Sequence, residues 1–157
     1  MASAFVSGYS LRLGRKDERY LLLRFMQRTY AELYPGYDYQ HLQDVIDQYW
    51  SEQTPFWWVT SPTNHQQFVA GLWLGTAIDQ LSGEAYTHLF MLFVDPNYRR
   101  QGLGTALLQV AEDWAAQQGD DQIGLQVFTI AQPALALYEK LGYRPRALLL
   151  MKEIDQQ

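Results

Sequence analysis

The chain contains no cysteine. That absence excludes a disulfide scaffold, a thiolate nucleophile, a cysteine-based zinc site and an iron–sulfur cluster. Basic charge is also scarce: 12 Lys and Arg stand against 17 Asp and Glu, giving a net charge of −5 over 157 residues. A protein that grips duplex DNA by neutralising phosphates carries the opposite balance. Long apolar runs are missing as well. Leu89 to Val94 and Ala147 to Met151 are the longest, and both are far too short to cross a bilayer. The opening MASAFVSGYSLR lacks the basic start and apolar stretch of a signal peptide. No repeat, low-complexity tract or linker divides the chain. Enough apolar material is present, 48% hydrophobic and 15% aromatic, to pack a core. The expectation is one soluble, cytoplasmic domain over residues 1–157.

Local patterns predict an ordered series of elements. Ser10 to Arg15 reads as a strand, and Asp17 caps a helix that runs to Leu33 and is ended by Tyr34-Pro35-Gly36. A second helix spans Tyr39 to Trp50. Strands follow at Phe56 to Thr60, Phe68 to Ile78 and Glu84 to Val94. A helix from Gly102 to Gln118, with Gly119 just past its end, precedes a strand from Ile123 to Thr129. Pro133 opens a further helix that Gly142 closes, and Arg146 to Glu153 reads as a last strand. The order βααβββαβαβ is a mixed α/β arrangement.

Chemistry concentrates where the third of those middle strands stops. Asp95-Pro96-Asn97 ends it, and Gly102 and Gly104 then open an amphipathic helix. Amides at a helix start have no intrahelical partners, and the helix dipole adds partial positive charge there. Glycines at alternate positions admit a phosphate to the backbone, with Arg99 and Arg100 alongside. The physical reading is a pyrophosphate cradle. A Walker loop would need Lys and Ser or Thr after the last glycine, whereas Thr105 and Ala106 follow Gly104. A dinucleotide fingerprint needs a small residue where Leu107 stands, and room for more βα units than 53 remaining residues allow.

Arg99-Arg100-Gln101-Gly102-Leu103-Gly104 matches the Arg/Gln-x-x-Gly-x-Gly/Ala signature of the GCN5-related N-acetyltransferases (GNAT). Downstream, Ala134-Leu-Ala-Leu-Tyr138-Glu-Lys-Leu-Gly142-Tyr143 resembles that family's A-x-x-x-Y-x-x-x-G-F/Y helix. The resemblance covers nearly the whole chain, and the family's element order is the order read above. It implies a GNAT-type fold: a central, mostly antiparallel sheet, splayed at the cofactor site, with helices on both faces.

By that resemblance, the pyrophosphate of acetyl-CoA lies on the amides of Gln101, Gly102, Leu103, Gly104 and Thr105. Leu92, Phe93 and Val94 offer backbone groups to the pantetheine arm. Tyr138 corresponds to the tyrosine that protonates the departing thiolate; a ring used only for packing is the alternative. Relatives often have Asn seven residues earlier, where this chain has Ala131 and, next to it, Gln132. Several relatives carry the base at the position of His88, with Glu84 as an alternative; a histidine held within the sheet is the competing reading. Strict alternation puts His88, Phe90, Leu92 and Val94 on one strand face. Members that acetylate protein N-termini carry Glu where this chain has Gln126. Tyr30, Tyr34, Trp58 and Trp73 are candidates for an acceptor pocket, or are core. The implied activity transfers the acetyl group of acetyl-CoA, without a metal, to a primary amine by direct attack in a ternary complex. A catalytically silent acyl-CoA-binding module is the alternative. The implied partner is a small-molecule or peptide amine; neither nucleic acid nor membrane is implied, and a homodimer is compatible.

Overall fold

The computed structural model describes residues 5–156. The chain divides into two compact units, one running to Gln126 and one beginning at Val127. In the first, β1 (Ser10–Leu13), β2 (Phe56–Thr60), β3 (Phe68–Ile78), β4 (Ala85–Val94) and β5 (Ile123–Leu125) form one sheet in the order β1-β2-β3-β4-β5. The first four pair antiparallel and β5 joins β4 in parallel. Helices α1 (Tyr20–Leu33) and α2 (Leu42–Tyr49) lie between β1 and β2, and α3 (Leu103–Gln117) lies between β4 and β5. The second unit holds α4 (Gln132–Lys140).

Helical spacing explains how the core assembles. Leu21, Leu22, Phe25 and Met26 recur on one face of α1, and Leu42 and Ile46 on one face of α2. These stripes close over Phe56, Trp58, Trp73, Met91 and Phe93 of the sheet in a single apolar cluster. Helix α3 packs on β3 and β4 through buried Leu103, Leu107, Leu108 and Ala111. A chain that buries both faces of a sheet with helices matches the implied architecture.

Several boundaries differ from the sequence reading. The first helix starts at Tyr20, after a single 3-10 turn at Lys16–Glu18, and Asp17 is not its cap. Glu18 ends up buried, taking two hydrogen bonds from the Arg12 guanidinium and one from the Arg15 amide. The fifth strand is three residues long and stops at Leu125, not Thr129. The largest difference is at Arg146 to Glu153, where no helix or strand forms. A run of apolar residues favours an extended chain, but a strand exists only where a neighbour pairs its N–H and C=O groups.

Candidate active site

The site begins with how β4 stops. The Asp95 carboxylate accepts from the Asn97 amide at 2.9 Å, folding Pro96–Tyr98 into a 3-10 turn. Arg100 (φ 62°) and Gly102 (φ 84°) then both adopt the left-handed conformation, and α3 starts at Leu103. Such a conformation strains Arg100 and suits Gly102, so the loop is shaped by the glycine at its inner turn. A side chain added at Gly102 would meet nothing within 4 Å. The first turn of α3 therefore presents open backbone. The first intrahelical bond recorded there runs from the Ala106 amide to the Gly102 carbonyl, so the amides of Leu103, Gly104 and Thr105 precede the ladder. Leu103 turns its side chain into the core, Gly104 is half-buried and Thr105 is exposed. Open amides at a helix start, with no Cβ above them, fit a phosphate group.

The two arginines part company. Arg99 grips Glu32 on α1 with both terminal nitrogens, at 2.6 and 2.7 Å, and its Nε donates to the Val94 carbonyl at 3.0 Å. Each partner shifts the other: Glu32 is held below the usual carboxylate range and Arg99 is raised. Beside them Arg28 of α1 donates to Asp95 at 2.8 Å and stacks over Phe93, 4.6 Å from the ring centre. Arg99 thus ties α1 to the end of β4 and is committed to protein groups. Arg100 is exposed, and the described residues give it no ion-pair partner. Sequence reasoning missed this brace. Its one signal was the spacing of Arg28 and Glu32, four apart on one helix face. Tyr9 was missed too: its hydroxyl donates to the Gln101 side chain, and its ring meets Tyr98 edge-on.

Strand β4 carries the rest of the first unit's site. Its parallel pairing with β5 covers Thr87, His88 and Leu89, and among the described residues Phe90 to Val94 have no ladder partner on that side. Leu92, Phe93 and Val94 lie along this unpaired stretch. One of the backbone acceptors expected for the pantetheine arm, the Val94 carbonyl, already takes the Arg99 bond, with a second lone pair left over.

Strict alternation fails at this point. Trp73 pairs with Met91 but Leu74 pairs with Leu89, so Phe90 is an extra residue, a β-bulge. The bulge reverses the parity, and His88 and Phe90 share the face of Met91 and Phe93, not that of Leu92 and Val94. Phe90 lies 4.8 Å from both Trp73 and His88, measured between ring centres, and stacks on Tyr49 of α2. Gly75, opposite His88, makes room for that ring, since a Cβ there would sit 2.1 Å from it. His88 is half-buried and its Nδ1 has no partner among the described residues. Burial lowers its pKa below the ordinary histidine value. Glu84 is exposed in the turn just before β4.

The acceptor-pocket candidates separate. Trp58 and Trp73 are completely buried and belong to the core between sheet and helices, so neither lines an open pocket. Tyr34 is exposed at the end of α1, where its carbonyl accepts the Tyr39 hydroxyl. Tyr30 is half-buried with its ring 5.4 Å from Tyr39, and burial raises its pKa.

In the second unit, Tyr138 sits in the last turn of α4. Its phenol is pushed up to about 12 by burial. The ring meets Tyr143 edge-on at 5.7 Å, and the Tyr143 amide donates to the Tyr138 carbonyl around the left-handed Gly142. Ala131, the residue before α4, is buried, and the Gln132 side chain donates to the Thr129 carbonyl at 2.9 Å.

The chain is similar to known proteins in sequence and in fold. The model of the Acetyltransferase (GNAT) family matches residues 22–143. Human N-acetyltransferase 8 is 32% identical over 104 residues, which is 66% of this chain and 44% of that protein. The [Ribosomal protein bS18]-alanine N-acetyltransferase of Escherichia coli (strain K12) is 46% identical over 55 residues, 35% of this chain and 37% of that one. The chain therefore matches less than half the length of these curated relatives. A solved putative acetyl transferase from Pyrococcus furiosus superposes with a TM-score of 0.75 at 22% identity, covering 93% of this chain and 99% of that one. At that identity the likeness is one of fold. Among the described residues no helix is long and apolar enough to cross a membrane.

Proposed function

Because the chain belongs to the GNAT acetyltransferase family, we propose that it moves the acetyl group of acetyl-CoA to a primary amine by direct attack. The observation that carries this reading is the turn at Arg100 and Gly102, which opens α3 with bare amides and leaves the space over Gly102 empty. Those amides, from Gln101 to Thr105, hold the pyrophosphate, and the unpaired stretch of β4 from Leu92 to Val94 receives the pantetheine arm as an added strand does. Acetyl-CoA supplies an activated acyl group.

The chain's own part is proton traffic and orientation. The amine must lose a proton as its nitrogen bonds to the acyl carbon, and the sulfur that leaves must gain one. His88 takes the first proton, directly or through water. Its desolvated ring is neutral at pH 7, and its Nδ1 is unclaimed. The Tyr138 hydroxyl gives the second, because a buried phenol at about 12 remains protonated. Tyr49, Tyr86, His88 and Phe90 form a continuous run of ring contacts, 4.8 to 6.0 Å between centres. That surface favours an amine attached to an apolar or aromatic body.

An acetyl-CoA-consumption screen tests the reading across arylalkylamines, polyamines, amino acids, aminoglycosides and peptides. Turnover with any amine supports it. Binding of acetyl-CoA without turnover over the whole panel points to a silent acyl-CoA-binding module, and no binding at millimolar acetyl-CoA refutes both.

Two variants probe the parts. Arg100→Ala should weaken acetyl-CoA about fivefold at low salt, the worth of roughly 1 kcal/mol for a cation beside an exposed phosphate. In titration calorimetry the deficit should shrink toward nothing at about 1 M salt, where screening reaches about 3 Å. His88→Ala should lower turnover by about 100-fold, most of all in acid. A base works only when deprotonated, so the rate falls as pH drops through its pKa. Burial lowers that pKa, so the acid limb lies below about 6.5 in the parent. In the variant that limb should vanish, leaving a rate that follows the free-amine fraction upward with pH. An unaltered profile transfers the role to Glu84 or to a water chain.

A further inference from the structure

His88 has no side chain beside it on either neighbouring strand. Its partner on β3 is Gly75 and its partner on β5 is Gly124. Residues opposite one another in a ladder face the same way, with Cβ atoms about 5 Å apart. The row Gly75–His88–Gly124 therefore carries one side chain where three would stand. Two rings take the space. A Cβ at Gly75 would lie 2.1 Å from the Phe90 ring, and one at Gly124 would lie 2.9 Å from the Tyr86 ring. Phe90 thus lies across β3 and Tyr86 across β5. Between them the imidazole is 4.8 Å from Phe90 and 6.0 Å from Tyr86, centre to centre. Trp73 at 4.8 Å and Tyr49, stacked on the ring at the same distance, fix Phe90 in place. Glycine inside a strand weakens it, and its use there marks a close approach by another group.

We propose that Gly75 and Gly124 are specificity-determining residues for the acceptor. Bare backbone on both sides of His88 lays Phe90 and Tyr86 down beside it, and this floor of rings takes a monoamine carried on a flat aromatic body. The role of His88 as base rests on the acetyl-transfer reading above; the selection of a ring does not. Aromatic faces pair with a further ring in offset or edge-on contact, which a flexible alkyl chain does not reproduce. None of the floor's residues is Asp or Glu, so the additional charges of a polyamine or an aminoglycoside find no carboxylate on it. Distance narrows the class further. The 4.8 Å between Phe90 and His88 is spanned by a linker of about two carbons, at roughly 1.5 Å per bond. The acceptor is an arylalkylamine with a short linker.

The test reads amine binding by NMR of the imidazole of His88, one of three histidines in the chain, with excess CoA present. The probes are 2-phenylethylamine, butylamine and spermidine. In the parent, 2-phenylethylamine should bind at least about tenfold tighter than the other two and shift the His88 signals. Gly75→Ala pushes the Phe90 ring off β3 and should cut that preference to about twofold or less. Gly124→Ala, whose contact with Tyr86 is looser, should cut it by about threefold. Phe90→Leu keeps apolar volume without crowding Gly75 and removes the flat face, so it should abolish the preference even if Gly75→Ala fails to fold by circular dichroism. A packing role alone would weaken 2-phenylethylamine and butylamine alike. Equal affinity of the parent for those two amines, or a preference unmoved by Phe90→Leu, overturns the proposal. Acetyl-CoA consumption is measured with the same probes. Ring-selective binding without turnover of any amine supports the proposal and removes acetyl transfer.

Discussion

Gly104→Val should reduce acetyl-CoA affinity by at least about 100-fold while the protein stays folded. The residue is the second of α3, where the amides of Leu103, Gly104 and Thr105 precede the helical ladder. A branched side chain there stands where phosphate oxygens must approach the backbone, and each displaced charge-assisted hydrogen bond is worth roughly 1.5–3 kcal/mol. Stability should hardly suffer, because valine is a slightly better helix residue than glycine, by about 0.3 kcal/mol. The melting temperature should therefore move by only a few degrees. Gly102 is the poorer probe. Its φ of 84° would strain any side chain by about 1–2 kcal/mol, so lost binding and a disturbed loop would arrive together. Calorimetric titration of Gly104→Val with acetyl-CoA decides the matter, and unchanged affinity in a folded variant removes the phosphate assignment.

Tyr138→Phe should lower kcat by about 100-fold and leave acetyl-CoA affinity within about twofold. The ring is kept, and with it the edge-on contact to Tyr143; only the hydroxyl goes. A proton given to the leaving sulfur is an interaction of the transition state, so its loss appears in turnover and not in binding. The pH dependence follows from the same burial. A general acid must be protonated to act, and a phenol raised to about 12 stays so far above neutrality. The parent should therefore show no alkaline loss of rate traceable to Tyr138 below about pH 10, the ordinary phenol value. Pre-steady-state rates measured from pH 6 to 10 test both points. A phenylalanine variant with parental kcat would leave Tyr138 a packing residue.

Local sequence carried much of this protein. The glycine turn was legible because its chemistry is local: two glycines, a Pro-Asn stop and a helix start lie within ten residues of one another. The two long strands β3 and β4 and helix α3 were legible within a residue, since their apolar periods are long and regular. The Tyr138 helix was legible from Pro133 and Gly142, which mark its two ends.

Other features depended on residues distant in the chain. The partner of Arg99 is Glu32, 67 positions away, and the charge read as belonging to the phosphate cradle turned out to brace α1. His88 changed faces because one extra residue at Phe90 bulges against β3, and a bulge is a property of two strands in register. Trp58 and Trp73 entered the core because α1 and α2 close over their face of the sheet, which no count of aromatics reveals. The clearest case is residues 146–153. Their apolar run expressed a real preference for extended chain, and the sequence alone determined that preference. Whether an extended chain becomes a strand was decided by tertiary structure, because half of a strand's hydrogen bonds belong to its neighbour.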